Sequence, residues 1–251
     1  MHSATRTQDL VGRRVVIPGG TGAVGEGIVR EYLAAGADVV VPTRSEQRSQ
    51  EFRTVLGPAA SDRLHLVVHD YTTFAGAEDL AAQTTHFLGG VDDVVAPIGG
   101  WWAGGRLWEM KETDWQEAFV GLATAHAAML RAFLPKVSVS GAYTIVVGDS
   151  SSYPVPGSGL VSMEQAALLM MQRVAAAEAG DIRRVFALVL GPVRTRLVAG
   201  EDGWISSQQV GAAAVALSAG DLPSGAVPLH STDELDELVR RSVSGLVEQS
   251  A

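Results

Sequence analysis

Cysteine is absent from the 251 residues of the chain. Its absence excludes a disulfide framework, a thiolate nucleophile and a cysteine-based metal site, and the sequence predicts no bound metal. Runs of lysine or arginine are also missing, and the formal net charge is −9. Nucleic acid and anionic membrane surfaces are therefore not expected partners. No apolar run reaches the roughly 18 residues of a membrane span, and the first residues lack the apolar core of a signal peptide. We therefore expect a cytoplasmic protein.

The composition indicates one soluble α/β domain. The chain is 47% hydrophobic and 19% charged, which suits a domain with a large core. No internal repeat or linker marks a second domain. We expect residues 1–9 to form a flexible amino terminus and residues 10–251 to form a single dinucleotide-binding domain, for the reason given next.

The stretch from Arg14 to Arg44 organises the chain, and it reads RVVIPGGTGAVGEGIVREYLAAGADVVVPTR. A β-branched run is followed by a glycine cluster, an amphipathic helical pattern that Gly36 stops, and a second β-branched run. This order is typical of a dinucleotide-binding unit, because glycines let the backbone approach a pyrophosphate and let the helix start close to the sheet. Free N–H groups at the helix start then receive the phosphates. A purely structural glycine turn is the alternative.

The end of the second β-branched run distinguishes the two nicotinamide dinucleotides. An acidic residue there binds the adenosine ribose hydroxyls, whereas an arginine suits a 2′-phosphate. Arg44 stands at this point and an acid does not, which favours NADP(H) over NAD(H). An exposed arginine at a loop start is the alternative. Asp70, which follows the third predicted strand, either accepts a hydrogen bond from the adenine amino group or caps the next helix.

Strand and helix patterns alternate along the whole chain, which predicts a parallel sheet with right-handed crossovers. The predicted strands are 14–17, 39–41, 64–68, 91–98, 143–147, 185–190 and 226–229. The predicted helices after the glycine turn are 46–58, 74–88, 114–134, 160–179 and 233–247, with a loop and short helices up to about Leu217.

Polar and aromatic residues follow the predicted strands at their carboxyl ends, where ligands bind in doubly wound sheets. Trp101 and Trp102 follow the fourth strand in a glycine-rich turn. They either line a substrate pocket together with Met163 or cover an oligomer contact. The fifth strand leads into the sequence GDSSSY at residues 148–153. His126 is a lone helical histidine, which is more often packed or exposed than catalytic.

The chain resembles the short-chain dehydrogenase/reductase family over nearly its whole length. The matching stretches are VVIPGGTGAVGEGI, DDVVAPIGG, DWQEAFVGLATAHAAMLRAFLP, SMEQAALLMMQRVAAAE and VLGPVRTR. The resemblance implies a Rossmann-type, doubly wound α/β fold with a mostly seven-stranded parallel sheet. It also implies hydride transfer between a nicotinamide and a small-molecule carbonyl or alcohol. A homodimer or homotetramer through the helices 114–134 and 160–179 is implied as well.

The resemblance assigns cofactor binding to residues in several of these stretches. They are Gly19, Thr21, Gly22, Val24, Gly25, Arg44, Asp70, Gly99, Gly191, Val193 and Thr195. Thr195 corresponds to the family threonine that contacts the nicotinamide carboxamide, and a helix-cap role is the alternative for it.

The catalytic positions of the family are mostly not kept. In the family a tyrosine acts as acid/base, a lysine four residues later lowers the pKa of that tyrosine, a serine orients the carbonyl, and an asparagine holds a relay water. Here the tyrosine, lysine and asparagine positions fall on Val161, Gln165 and Gly121. Only the serine has an equivalent, in Ser150 or Ser151. Valine cannot donate a proton and glutamine carries no charge, so the usual mechanism is not available at the usual positions.

Three functions follow from this mixture. The first is an atypical NADP(H)-dependent reductase or dehydrogenase with Tyr153 as a relocated acid. Packing of Tyr153 under Pro154 and Pro156 is the alternative for that residue, and His126 and Glu164 are weaker candidates for the acid. The second function is a catalytically inactive NADP(H)-binding sensor or partner subunit. The third is a dehydratase, isomerase or cyclase on the same scaffold. We rank the reductase first because the nicotinamide-side loop persists.

Overall fold

The structure is a computed structural model, and it describes residues 9–248. Its strands and helices are, in chain order, β1 (Arg14–Val16), α1 (Ala23–Ala34), β2 (Asp38–Thr43), α2 (Glu46–Leu56), β3 (Leu64–Val68), α3 (Phe74–Leu88), β4 (Val91–Ala96), α4 (Glu112–Trp115), α5 (Leu122–Phe133), β5 (Val137–Gly148), α6 (Gly159–Ala179), β6 (Arg184–Leu190), β7 (Val193–Arg194), β8 (Ile205–Ser206), α7 (Ser207–Ala219), β9 (Gly225–Leu229) and α8 (Thr232–Glu248). The predicted flexible amino terminus lies outside the described residues, apart from Asp9.

A parallel sheet of seven strands runs through the described part of the chain in the order β3-β2-β1-β4-β5-β6-β9. Successive residues of a strand point to opposite faces. Val39 and Val41 therefore join the apolar cluster under α1 and α7, while Val40 joins the cluster under α3 and α5. Burial on both faces explains why the strands read as continuous β-branched runs. The predicted doubly wound fold is confirmed.

Most predicted boundaries hold to within about two residues, including the fourth strand, which ends at Ala96 rather than at residue 98. The start of the fifth strand is wrong by more, because this strand begins at Val137 rather than at Tyr143. The predicted loop with short helices mostly forms a single 13-residue helix, α7. This helix packs closely on α1, since a Cβ at Gly27 would lie 2.2 Å from the Ser207 carbonyl oxygen.

The helical stretch Glu112–Lys136 has the length and hydropathy of a membrane span. This differs from the expectation that no such stretch exists. Core helices pass the same test of length and composition, and Met129 and Phe133 of this stretch are fully buried in the cluster between the sheet and its helices. A π-helical segment, Gln116–Gly121, lies between α4 and α5.

Ion pairs tie the strands together at the amino edge of the sheet. The fully buried Asp93 accepts hydrogen bonds from Nε and Nη2 of Arg13, at 3.0 and 2.9 Å, and from the N–H of Ala142 at 2.9 Å. Arg14 and Asp92 form a second pair at 2.8 Å. One carboxylate of β4 thus links the residue before β1 to a residue of β5, which fixes the central strands relative to one another.

Asp93→Ala should lower the free energy of unfolding by about 3–5 kcal/mol, because the guanidinium of Arg13 loses its buried counter-charge. Glu51→Ala is the control: it removes an exposed pair with Arg48 at 3.7 Å and should change stability by less than about 1 kcal/mol. Urea unfolding followed by circular dichroism measures both variants. Equal, small losses in the two would contradict the role given to Asp93.

Candidate functional site

The glycine turn brings the start of α1 against the end of β1. Gly19 has a φ of +82°, and a Cβ there would lie 2.5 Å from the Pro97 carbonyl oxygen. A Cβ at Gly25 would lie 2.4 Å from the Gly19 carbonyl oxygen. Gly22 is the N-cap of α1 and gives the helix no side-chain hydrogen bond. The first N–H groups of α1 therefore face the turn without a side-chain cap, which fits the pyrophosphate of a dinucleotide.

Arg44 and Asp70 follow neighbouring strands, β2 and β3, and both are exposed. The Oδ1 atom of Asp70 accepts hydrogen bonds from the N–H and hydroxyl of Thr72, at 2.9 and 2.6 Å. These hydrogen bonds hold the pKa of Asp70 below its usual value. The N-cap of α3 is Thr73, so the helix-cap alternative for Asp70 is wrong, and its adenine contact stays a prediction.

The loop after β6 is held by its own threonine and by an ion pair to α1. The Thr195 hydroxyl accepts from the N–H groups of Leu197 and Val198, both at 3.2 Å. Its own proton can then be donated to a ligand. Arg196 pairs with Glu26 in the first turn of α1 at 2.7 Å. A cavity of about 640 Å³ lies beside this contact and includes Thr195 in its lining.

The tryptophan segment lies across the loop that precedes α6. The Gly104 N–H donates to the Gly157 carbonyl oxygen at 2.9 Å, and the ring of Trp102 packs on Gly104. Trp101 is 70% exposed and Met163 is 38% exposed. The substrate pocket predicted from Trp101, Trp102 and Met163 stays a prediction.

The turn after β5 contains the predicted catalytic residues. Ser150 lies close to the end of the strand, since a Cβ at Gly148 would be 3.6 Å from the Ser150 hydroxyl oxygen. The hydroxyl oxygen of Ser151 is buried and has no hydrogen-bond partner among the described residues. Tyr153 is 68% exposed, so it is not packed under the prolines that follow it.

Gln165, which sequence analysis aligns with the family lysine, forms a hydrogen-bonded pair with Glu164. The Gly148 N–H donates to Oε1 of Gln165 at 2.6 Å, and Nε2 of Gln165 donates to Oε2 of Glu164 at 2.7 Å. Glu164 is fully buried, and its Oε1 has no partner within the described part of the chain. Burial raises the pKa of Glu164 to about 7. Val161, which sequence analysis aligns with the family tyrosine, is only 5% exposed.

His126, predicted to be packed or exposed rather than catalytic, is packed. Its Nε2 donates to the Ile98 carbonyl oxygen at 2.9 Å, which ties α5 to the turn after β4. The side chain is fully buried, and burial lowers the pKa of His126 to about 4. The imidazole is therefore neutral at neutral pH.

Sequence analysis missed a contact between the ends of β5 and β9. Nε2 of His230 lies 2.8 Å from Oδ1 of Asp149, and Nδ1 of His230 lies 3.6 Å from Oε1 of Glu234. The imidazole passes next to Gly191, where a Cβ would lie 3.2 Å from the ring. Asp149 and His230 are 81 residues apart in the sequence, so no local sequence pattern could predict their contact. The parallel sheet brings them together because both follow strands at its carboxyl edge.

Glu164 and His126 should give opposite pH dependences of stability. The folded-state pKa of Glu164 is raised, so its contribution is complete below about pH 4.5 and is lost as the pH rises through about 7. The folded-state pKa of His126 is lowered, so its contribution is complete above about pH 6.5 and is lost as the pH falls toward 4. Between about pH 4.5 and 6.5 both groups are titrating in opposite senses, so their contributions to the pH dependence of the free energy of unfolding nearly cancel in the wild type.

A variant that lacks one of the two groups should show the pH dependence of stability that the remaining group produces. Glu164→Gln should lose stability as the pH falls through this window and His126→Gln as it rises, each by on the order of 3 kcal/mol. Urea unfolding at a series of pH values gives the slopes. Parallel profiles for wild type and both variants would show that neither group is held away from its ordinary pKa.

The chain matches known proteins over most of its length. Residues 20–219 match the family model described as enoyl-(acyl carrier protein) reductase. A cis-2,3-dihydrobiphenyl-2,3-diol dehydrogenase of Paraburkholderia xenovorans is 23% identical over 91% of this chain and 81% of its own length. The human mitochondrial dehydrogenase/reductase SDR family member 2 is 28% identical over 74% of this chain and 67% of its own length.

Another relative is matched over a shorter stretch. A hydroxysteroid 11-beta-dehydrogenase 1-like protein of Xenopus tropicalis is 28% identical over 59% of this chain, and the match spans 52% of that protein.

Solved structures share the fold at low identity. A short-chain type dehydrogenase/reductase from Mycobacterium ulcerans superposes with a TM-score of 0.79 at 18% identity, over 90% of this chain and 91% of that one. An alcohol dehydrogenase from Thermococcus sibiricus, in complex with 5-hydroxy-NADP, gives a TM-score of 0.75 at 22% identity, over 88% and 97%.

Proposed function

Because the chain belongs to the short-chain dehydrogenase/reductase family, we propose that it is an NADP(H)-dependent oxidoreductase acting on a small-molecule carbonyl or alcohol. The observation that carries this proposal is the uncapped start of α1 at the turn of Gly19, Gly22 and Gly25. Relatives named as dehydrogenases or reductases support an oxidoreductase. Arg44, without an acid beside it at the end of β2, supports the 2′-phosphorylated coenzyme.

The residues present fit a nicotinamide dinucleotide along the carboxyl edge of the sheet. The N–H groups at the start of α1 would hold the pyrophosphate, Arg44 the 2′-phosphate, and the hydroxyl of Thr195 the carboxamide. The bound nicotinamide supplies or accepts the hydride. The chain itself has to orient the carbonyl, a role that suits Ser150 or Ser151, and to supply or remove one proton.

A second function has its own supporting observation. Sequence analysis predicts that Val161 and Gln165 replace the tyrosine and the lysine of the family, and this prediction favours an NADP(H)-binding sensor or inactive partner subunit. A panel of carbonyls and alcohols separates the two functions. Coenzyme-dependent turnover of any substrate excludes the inactive protein, whereas tight NADPH binding without turnover across the panel supports it.

We also propose that two or four copies assemble through the stretches 114–134 and 160–179. The outer side of α6 exposes Met170 and Val174, 54% and 48% of their surfaces respectively, and exposed apolar side chains on one helix suit burial against another copy.

Arg44→Ala should weaken NADPH binding about tenfold or more and leave NADH binding nearly unchanged, because it removes a charge-assisted hydrogen bond to the 2′-phosphate alone. Arg53→Ala, which removes a positive charge from the last turn of α2, is the matched control and should bind both coenzymes like the wild type. Titration of nicotinamide fluorescence measures the six affinities, those of the wild type and of each variant for NADPH and for NADH.

Two results would count against these proposals in different ways. Equal weakening of both coenzymes by Arg44→Ala would remove the phosphate role of Arg44. Failure of the wild type to bind either coenzyme would remove the proposed function itself.

A further inference from the structure

The cavity of about 640 Å³ beside the loop after β6 is rich in positive charge. Its lining comes from α1, from this loop and from the start of α7. Three arginines, Arg30, Arg194 and Arg196, take part in the lining together with one acid, Glu26. The lining thus carries three positive charges and one negative charge, which makes the cavity electropositive in a chain whose formal net charge is −9.

The single acid of the cavity is already paired. Glu26 is 9% exposed, and its Oε1 accepts from Nε of Arg30 at 3.0 Å, while its Oε2 lies 2.7 Å from Nε of Arg196. Arg30 also donates to the carbonyl oxygens of Val55 and Leu56, at 2.6 and 3.0 Å. Glu26 and Arg30 therefore belong to the structural contacts of α1, and Glu26 holds Arg196 at the cavity.

Four residues of the lining have protons left for a ligand. Nε of Arg194 donates to the Trp204 carbonyl oxygen at 2.9 Å and Nε of Arg196 is paired as described, but the Nη atoms of both arginines donate no hydrogen bond within residues 9–248. The hydroxyls of Thr195 and Ser206 accept from backbone N–H groups at 3.2 Å. Their own protons can be donated. The unused groups are thus donors, which suits a negatively charged ligand.

This cavity is separate from the glycine turn to which the pyrophosphate is assigned. The N–H of Glu26 donates to the Gly22 carbonyl oxygen at 2.9 Å, so the free N–H groups at the start of α1 end before Glu26. Among the residues assigned to the coenzyme, Thr195 alone lines the cavity. Two acids of the same loop, Glu201 and Asp202, are exposed and lie outside the lining. A coenzyme at the turn therefore leaves the arginines of the cavity available.

We infer that the cavity is a second ligand site, which binds the phosphate or carboxylate group of a small molecule while the coenzyme occupies the glycine turn. Guanidinium groups with free Nη atoms bind such groups through charge-assisted, often paired hydrogen bonds. The volume lies within the range of small-molecule sites, about 300–1,000 Å³, so there is room for the molecule that carries the anionic group. The inference goes beyond the proposed function, since the site needs neither coenzyme nor turnover.

The first test titrates inorganic phosphate into the full chain without coenzyme, at an ionic strength held constant with sodium chloride. Proton–nitrogen NMR follows the Nε–H groups of the arginines. The signals of Arg194 and Arg196, identified by their loss in Arg194→Gln and Arg196→Gln, should shift saturably with a Kd below about 10 mM. The signal of Arg53, an exposed residue of α2, should not shift. Shifts without saturation, shared by Arg53, would overturn the inference.

The same titration of variants tests the two arginines. Arg194→Gln and Arg196→Gln should each weaken phosphate binding about tenfold, because each removes a charge-assisted donor. The double variant should show no saturable binding, whereas Arg53→Gln should match the wild type. Succinate in place of phosphate tests the carboxylate, and the anion that binds more tightly indicates which group the natural ligand carries. Wild-type phosphate affinity in the double variant would contradict the site.

A repeat of the phosphate titration with saturating NADPH tests the separation of the two sites. The phosphate affinity should be the same as without coenzyme. Its loss would show that the cavity is part of the coenzyme site and would overturn the inference, with the proposed function left intact. Wild-type protein that binds neither NADPH nor NADH would remove the proposed function alone, since the first titration decides on the anion site without coenzyme.

Discussion

The buried carboxylate of Asp93 is the constraint on which the arrangement of the central strands depends. The Asp93 carboxylate accepts hydrogen bonds from the Arg13 guanidinium and from the N–H of Ala142 at the amino edge of the sheet. These polar groups are therefore paired with one another within the chain. At the carboxyl edge, the Ser151 hydroxyl and Oε1 of Glu164 are buried without partners in the described structure. Unpaired buried polar groups are costly, and a ligand that pairs with them gains affinity. Asp93 therefore fixes the central strands from the amino edge of the sheet, and the proposed coenzyme site lies at the opposite, carboxyl edge.

Local chemistry made the glycine turn at this edge predictable. A strand, a glycine turn and a helix lie within a few residues of one another, so their geometry follows from contacts over short sequence distances. The turn at Gly19 and Gly25 is closed by backbone contacts that exclude a Cβ, and this exclusion is visible in the sequence as glycine. The exposed Arg44 was placed by the same reasoning, because it directly follows a strand that the β-branched pattern defines.

The features that sequence analysis missed depend on contacts between distant segments. Sequence analysis did not predict α7 as a single helix, because its small residues leave its faces with little difference in polarity. The close approach of α7 to α1 depends on Gly27 and Gly211, which lie on the facing helices. The pairing of His230 with Asp149 joins strand ends 81 residues apart. The burial of Glu164 is a further example, because a glutamate in a helical sequence pattern gives no sign that its side chain is fully buried.

The replacement of the family tyrosine and lysine that the sequence predicts would not by itself remove acid–base chemistry at neutral pH. A phenol starts with a pKa of about 10 and needs a nearby positive charge to approach neutrality, whereas a carboxylic acid starts at about 4.3 and needs burial. The chain has lysine at only two positions, Lys111 and Lys136, and Gln165 brings no charge. Without that cation a phenol at position 161 would stay a weak acid. Burial raises the pKa of Glu164 to about 7 without a cation, which shows how this fold can bring a carboxylic acid close to neutrality. The same burial leaves the Glu164 carboxyl without exposed surface, so an acid that serves a substrate has to lie elsewhere at the carboxyl edge of the sheet.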